Sequence, residues 1–495
     1  MKRLFAIFLV ITLLTGLCAC GADTTSADSE SKPETQAETQ PTQPSTAPTE
    51  PVSVGLQVGF GRESITPDYE VNMAGSASNR VSSGYLDLLY LTCVALREND
   101  ETYLVCTTDL VECNPVWVNP TKAVMSQETG VPESNILICS THTHSSVSIG
   151  SDSCKNVDRY RKEFFDAARL AAKAAVEDLA PAEVWYGDIW AENMAWVRHY
   201  ELSNGTYAGA NFGDFSSGQI VGHASDADCE LQLIKFARPD KEKKDVVLIN
   251  FPAHATMNSS EPSLSADFPA PTRSYIEENS DSLVAYFIAA AGNQVPSSRI
   301  ETETFSKDYN VYGAELGRYA VQCMDNNLTQ VESTGIILNK QTYIGKSNRA
   351  GLDRLNEALA VQMIWNQVGG RGTTEGKNAA KQAGFSSVYE VTSILNRASA
   401  PEERAMDIHA LSVGDVSFVF APYEMFGTQG MYIKENSPYP MTFIITCCEG
   451  DGGYMPSELG WELGTYESQI SRFERGTAEK LADTFVELLT TMKNS

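Results

Sequence analysis

The sequence is short of positive charge, of histidine and of ordered cysteine motifs, and each shortage narrows what the chain can be. Against 64 acidic residues there are only 37 lysines and arginines, a formal net charge of −27. A surface of that sign gains nothing from phosphates or anionic headgroups, which disfavours nucleic acid and anionic membrane surfaces as partners. The 11 cysteines include no CxxC pair and no regular spacing, so neither a disulfide framework nor a cysteine nucleophile is indicated. No internal repeat is present. Histidine occurs six times in 495 residues, and two of the six stand two positions apart. The hydrophobic share, 42%, is that of an ordinary globular protein, long enough for one large domain or two.

An apolar run from Leu4 to Leu14 follows Lys2 and Arg3 and is too short to span a membrane as a mature helix. Leu17-Cys18-Ala19-Cys20 resembles a bacterial lipoprotein cleavage box, with Cys20 as the lipid-bearing residue. Residues 21–52 are rich in Thr, Pro, Ser, Gln and Glu without apolar periodicity and read as a disordered spacer. The expectation is a signal peptide over 1–20, a linker over 21–52 and a functional domain over 53–495. Such a protein is extracytoplasmic, at the cell surface, and touches the bacterial membrane only through its lipid anchor. Without Cys18 and Cys20, nine cysteines remain, and an odd number leaves a thiol free unless chains pair. A few disulfides are open to an exported chain. The adjacent Cys447-Cys448 suit a core strand better than a staple.

From Val52 onward strand patterns alternate with helical ones. Apolar runs at Asn135–Cys139, Leu104–Thr108, Leu231–Phe236, Val246–Phe251, Leu283–Ala290, Val416–Ala421 and Thr442–Thr446 predict buried strands. Helices are predicted over Asp158–Leu179, Pro269–Asn279, Tyr312–Asn326, from about Glu424, and over Gln469–Thr491. Residues 345–400 read as a helical excursion with a glycine-rich loop at Gly369–Gly372. The alternation predicts a layered α/β domain.

Chemistry-bearing residues gather where strands end. Ser140-Thr141-His142-Thr143-His144-Ser145 follows the Asn135–Cys139 run. In extended chain, residues i and i+2 point to one side, so His142 and His144 are expected to share a pocket. Taken alone, such a pair is more often the mark of a hydrogen-bonded loop. His254 lies at a strand terminus in Pro252-Ala253-His254-Ala255-Thr256, ahead of a Ser-rich loop leading to Asp267. Glu424 follows the Val416–Ala421 strand, and Tyr454 follows Gly450, Gly452 and Gly453, which let backbone approach closely.

Other segments fall into the same order. They are Gly59-Phe60-Gly61-Arg62 with Ile65-Thr66-Pro67, Asp109-Leu110, Trp196-Val197-Arg198-His199-Tyr200, Pro422-Tyr423-Glu424, and Gly453-Tyr454 leading to Thr465-Tyr466-Glu467. With Thr141-His142-Thr143-His144-Ser145, this series resembles the neutral/alkaline, non-lysosomal ceramidase family from about Val54 to the C-terminus. The resemblance implies a layered mixed β-sheet core flanked by helices, like the family's N-terminal catalytic domain. It implies zinc held by His142, His254, Glu424 and Tyr454, with His144 assisting proton transfer. Arg198 becomes a polar clamp and Tyr466 a third contributor. The implied activity is zinc-dependent hydrolysis of an amide bond, in a small-molecule or lipid substrate, by metal-activated water.

The sequence departs from the family's pattern in three places. In Gly292-Asn293-Gln294-Val295-Pro296, Val295 occupies the position of a serine proposed as nucleophile, while Ser297 and Ser298 lie out of register. Ser145-Ser146-Val147-Ser148 replaces Ser-Gly-Pro-Gly. The chain ends soon after its last helix, without room for the C-terminal β-sandwich of longer members. Ceramide as the substrate does not follow from a pattern so altered. Three rivals remain in view. A TIM-barrel amidohydrolase also carries HxH, but it needs more metal histidines than His199, His223, His254 and His409 supply. A non-catalytic surface lipoprotein would keep the fold and lose turnover. A solute-binding lipoprotein needs a bilobal division, and the sequence shows none.

Overall fold

The innermost strands of the core have two apolar faces, and the architecture follows from where each face is buried. The computed structural model describes residues 55–75, 80–240 and 242–495. The expected signal segment 1–20 with Cys20 and the spacer 21–52 lie outside the described residues. Glu101–Thr108 shows the principle. Tyr103 and Val105 point into one core, Leu104 and Cys106 into another, and the run reads as unbroken apolar sequence.

Three sheets share the central core. The first runs Ile136–Ser140, Glu101–Thr108, Tyr90–Glu98, Gln57–Ser64, Ala180–Pro181 in spatial order. The second runs Ser282–Ile288, Asp245–Phe251, Glu230–Ala237, Glu183–Trp190, Thr329–Gln330. The third runs Ile336–Lys346, Glu403–Val413, Val416–Phe420, Met441–Ile445. Each is mixed, with a single parallel pair: Leu104 opposite Ile136, Asp245 opposite Ser282, Val416 opposite Met441. Val105, Leu137, Phe236, Phe287, Phe418 and Phe443 meet in the shared core. The outer faces are covered by helices: Pro115–Thr129 and Val157–Glu177 on the first sheet, Pro269–Asn279 and Tyr309–Asn326 on the second, Gly427–Asn436 and Thr477–Lys493 on the third. The layered mixed α/β expectation holds, and the open mixed sheets rule out the barrel rival.

The glycines of Gly59-Phe60-Gly61-Arg62 have a packing reason. A Cβ at Gly59 would stand 2.0 Å from the Ala175 carbonyl oxygen, and one at Gly61 2.1 Å from that of Ala171. Helix Val157–Glu177 therefore lies on bare backbone, a fit only glycine allows. Asp109 is structural too. It receives both arms of the buried Arg273 guanidinium at 2.9 and 2.8 Å, and the Thr141 hydroxyl at 3.2 Å.

Residues 345–400 do form a helical insertion, with helices Leu355–Gln367, Thr374–Gln382 and Val388–Ala398 around a small core of their own that includes Trp365 and Ile394. Three local expectations are corrected. Glu424 does not open a helix: Glu424–Met425 is a two-residue strand parallel to Tyr454–Met455, and the helix begins at Gly427. The last helix starts at Thr477, because Phe473 is buried and pairs with Ser347, which pulls the chain out of helix after Ile470. Cys447-Cys448 fall beyond strand Met441–Ile445, in a turn with Cys447 at φ 55°. All nine described cysteines are free thiols. Among the described residues no helix is long and apolar enough to cross a membrane.

Candidate metal centre

His142 and His144 do converge, by a turn and not by strand alternation. The strand ends at Ser140, and His142 takes φ 61°. The turn is pinned throughout. The Thr141 amide donates to the Thr108 carbonyl at 2.8 Å, the His144 amide to Ala255 at 3.0 Å, and the Thr143 hydroxyl to Ser265 at 2.7 Å. His254 leaves the end of strand Asp245–Phe251, its amide donating to Gln294 at 3.1 Å. Glu424 is held through its amide by the Gly453 carbonyl at 2.9 Å, which sets it beside Tyr454. Gly292 seals the arrangement: its amide donates to Met425 at 2.7 Å, and a Cβ there would meet the Glu424 carbonyl at 2.8 Å.

The three rings share one orientation. Nδ1 of His142 lies 2.5 Å from the Val111 carbonyl, that of His144 2.7 Å from Gly75, that of His254 2.6 Å from Ala291. A carbonyl only accepts, so each Nδ1 carries the proton and each Nε2 presents a lone pair. Those lone pairs converge. Nε2 of His144 is 3.1 Å from Nε2 of His142, and Oε2 of Glu424 is 3.2 Å from His142 and 3.1 Å from His254. The Tyr454 hydroxyl lies 3.5 Å from His254 Nε2. One donor atom from each of His142, His144 and His254 falls within 4.8 Å of the others. Inward lone pairs backed by carbonyl-anchored Nδ1–H groups make the cage of a cation. Imidazole nitrogen with carboxylate oxygen suits zinc among the common divalent ions.

The electrostatics agree. Burial takes His144 well below the usual histidine range, and its neighbours His142 and His254 add to it. Burial likewise takes His254 to about 4, with Arg198 contributing. For Glu424, burial opposes the charge but His142 and His254 outweigh it, so the carboxyl sits well below its ordinary range. His142 moves up: burial works against this, and Cys447 and Glu424 outweigh burial. The cluster thus holds a carboxylate and two neutral imidazoles, while Glu424 and Cys447 draw His142 towards its charged form; a cation bound there would take the place of that proton.

A cavity of about 450 Å³ opens onto the cluster and is lined by His142, His144, Glu424, Tyr454 and Tyr466. His254 closes the cluster from behind. Arg198 does not line this cavity. It stands behind Tyr454, its guanidinium carbon 5.5 Å from the ring centre, and its Nε donates to Glu467 at 2.8 Å. Tyr466 packs edge-on against Tyr454, with ring centres 6.0 Å apart. Ser298 is remote from the cavity wall, its hydroxyl 3.3 Å from His223 Nε2 and within the Thr304 turn.

Two residues escaped the sequence reading. Glu467, 1% exposed, links Arg198 and His199; it stands in the same Thr465-Tyr466-Glu467 motif, beside the tyrosine to which the resemblance points. Glu112 lines the cavity and is pushed up to about 7, by burial first and then by Asp451. It follows strand Glu101–Thr108 as His142 follows Ile136–Ser140, so the strand-end rule that found the histidine points to it as well.

No protein-family model matches the chain, and no curated protein sequence matches it. Solved structures do. Neutral ceramidase from Pseudomonas aeruginosa superimposes with a TM-score of 0.66 at 15% identity, covering 89% of this chain and 75% of that one. A ceramidase complexed with C2 gives a TM-score of 0.64 at 14% identity, with the same coverage. This chain has the neutral ceramidase fold.

Proposed function

We propose that this chain is a zinc-dependent amidohydrolase that cleaves an amide bond in a small-molecule or lipid substrate. One observation carries the reading. Three histidines anchor Nδ1 to backbone carbonyls and turn Nε2 inward onto Glu424, at the wall of a cavity. The fold shared with neutral ceramidase supports it. His142, His254, Glu424 and Tyr454 would hold the metal. When bound, zinc acidifies water and polarises a carbonyl.

The residues divide the remaining work. His142 and His144 both line the cavity and His254 is buried behind it; with His142 given to the metal, His144 is the histidine left to meet substrate. Its Nε2 takes the proton of the attacking water and returns it to the leaving nitrogen. The Nδ1–H bond to Gly75 holds the ring and its tautomer. Tyr466 walls the cavity beside Tyr454, and its hydroxyl can donate to the developing oxyanion. Arg198, anchored by Glu467, positions Tyr454 from behind. Val295 offers no hydroxyl, which leaves water as the nucleophile.

Metal analysis of the purified protein, with hydrolysis of a panel of N-acyl substrates before and after chelation, tests the proposal. About one zinc per chain and activity lost and restored with it are expected. A metal-free, inactive protein would favour the non-catalytic lipoprotein reading.

A further inference from the structure

A second cavity, of about 550 Å³, adjoins the metal centre and shares Arg371, Tyr389, Tyr454 and Tyr466 with the first. Four arginines line it: Arg371, Arg397, Arg404 and Arg472. That is a dense group of cations for a chain of net charge −27.

Three of the four have no acidic partner. Arg472 donates to Asp451 at 2.9 Å. Arg371 reaches only the Thr392 hydroxyl, at 3.0 Å, and Arg404 the Ser347 hydroxyl, at 3.1 Å. Arg397, 7% exposed, spends both terminal nitrogens on the Ala350, Gln469 and Ser471 carbonyls, and its buried Nε has no partner. Among the described residues none of these three is ion-paired. Three carboxylates share the wall: Asp451 is held by Arg472, Glu424 is turned onto His142 and His254, and Glu112 sits at about 7. Burial draws Arg397 down to about 10, and it draws Arg404 down with help from Arg472 and Arg349. Desolvated guanidinium groups without a counter-charge are costly unless an anion joins them.

The helical insertion builds this wall. Arg371 sits in the Gly369–Gly372 loop, and Arg397 near the end of helix Val388–Ala398. The insertion is tied to the catalytic side by Arg397 on Gln469 and by the Ser387 hydroxyl on the Gln469 side chain at 3.0 Å. An aromatic path joins the two cavities: Arg371 faces Tyr389, Tyr389 meets Tyr466 at 5.0 Å between ring centres, and Tyr466 meets Tyr454 at 6.0 Å.

We propose that the second cavity is an anion subsite, and that the amide substrate carries a carboxylate or phosphate group seated between Arg371 and Arg404. Guanidinium groups bind either group through paired, charge-assisted hydrogen bonds. The subsite rests on the hydrolase reading only for the amide; the anion is read from the arginines.

Matched ligands test it on the purified, zinc-loaded protein. One pair is an N-acylglycine and its N-acylglycinamide; the other is an N-acylethanolamine phosphate and its N-acylethanolamine. Titration calorimetry and KM are measured for each. The anionic member of at least one pair should bind about tenfold more tightly or better. The pair that shows the preference separates carboxylate from phosphate. Arg371→Gln, on an exposed loop, should shrink the ratio, and Arg371→Gln with Arg404→Gln should bring it near one. A ratio near one in the parent protein, or one that survives the double substitution, overturns the subsite. The binding ratio is readable without turnover, so failure of the hydrolase reading and failure of this one are distinguishable.

Discussion

Arg198 and Glu467 form a buried pair: Nε donates to Oε1 at 2.8 Å, and the other carboxylate oxygen lies 3.0 Å from His199 Nε2. Burial alone would raise Glu467, but Arg198 and then His199 outweigh it, and the carboxyl falls to about 2. Arg198 shifts the opposite way, upward, as the partner should: burial opposes its charge and Glu467 outweighs it.

A folded-state value depressed from 4.5 to about 2 has a definite consequence. The unfolded chain binds a proton first as pH falls, so the stabilisation is complete above 4.5 and is lost on the way down to about 2. Glu467→Gln should flatten that part of the stability curve. It should also cost about 3–5 kcal/mol at neutral pH, because the arginine stays buried without a counter-charge. Thermal unfolding from pH 7 to pH 2 checks both, and an unchanged acid limb in the variant would refute the assignment.

The proposed function divides the donor cage into ligands and a proton carrier. His142→Ala and His254→Ala should each lose most of the bound zinc. His144→Ala should keep the metal and lose activity by about a hundredfold or more. Metal content by mass spectrometry, read beside the rate, decides. Zinc binding by His142→Ala at the parent level would sink the cage, and zinc loss in His144→Ala would make His144 a ligand.

Gly75 holds His144 from outside. It has φ +81°, and a Cβ there would meet the His144 Cα at 2.5 Å. Gly75→Ala should cost about 1–2 kcal/mol from the left-handed backbone alone. It should also lower the rate more than it lowers metal content, since the displaced carbonyl no longer orients His144. Equal losses of both would indicate general disruption instead.

The strand-end residues and the layered α/β class are legible in the sequence because buried strands write unbroken apolar runs, and chemistry collects where those runs stop. His142, His254 and Glu424 were found that way. What the sequence could not carry is long-range pairing. Glu424 looks like a helix start until Tyr454 is laid beside it, 30 positions on, as a parallel strand. Phe473 looks helical until Ser347 pairs with it. The convergence of His142 and His144 was expected from strand alternation, and it arises from a left-handed turn that Asp109, through Thr141, holds in place. The arginines of the insertion carry no local signal of the cavity they line.

The N-terminal proposal stands on sequence alone. Cys20→Ala should move the protein from the membrane fraction to the soluble one, because acyl chains supply the anchoring. Fractionation with an unchanged distribution would end the lipoprotein reading.

The identity of the nucleophile follows from where hydroxyls are. Val295 has none, and its short strand pairs with Trp196–Val197, so the loop shapes the site without entering the chemistry. Ser298 is engaged by His223 and Thr304, away from the cavity. Ser148 is the one serine on the cavity wall, and no hydrogen bond to a histidine or carboxylate activates it among the described residues. A serine without a base is a weak nucleophile, whereas on the proposed reading zinc held by the cage would acidify water and His144 would take its proton. Ser148→Ala, Ser297→Ala and Ser298→Ala should therefore each leave the rate within about tenfold, roughly 1.4 kcal/mol of barrier. Their effect should be small beside that of His144→Ala. Quenching the reaction with a slow ester and mapping the protein by mass spectrometry should show no acyl adduct. An acyl group on any of the three serines would replace water attack with a covalent mechanism.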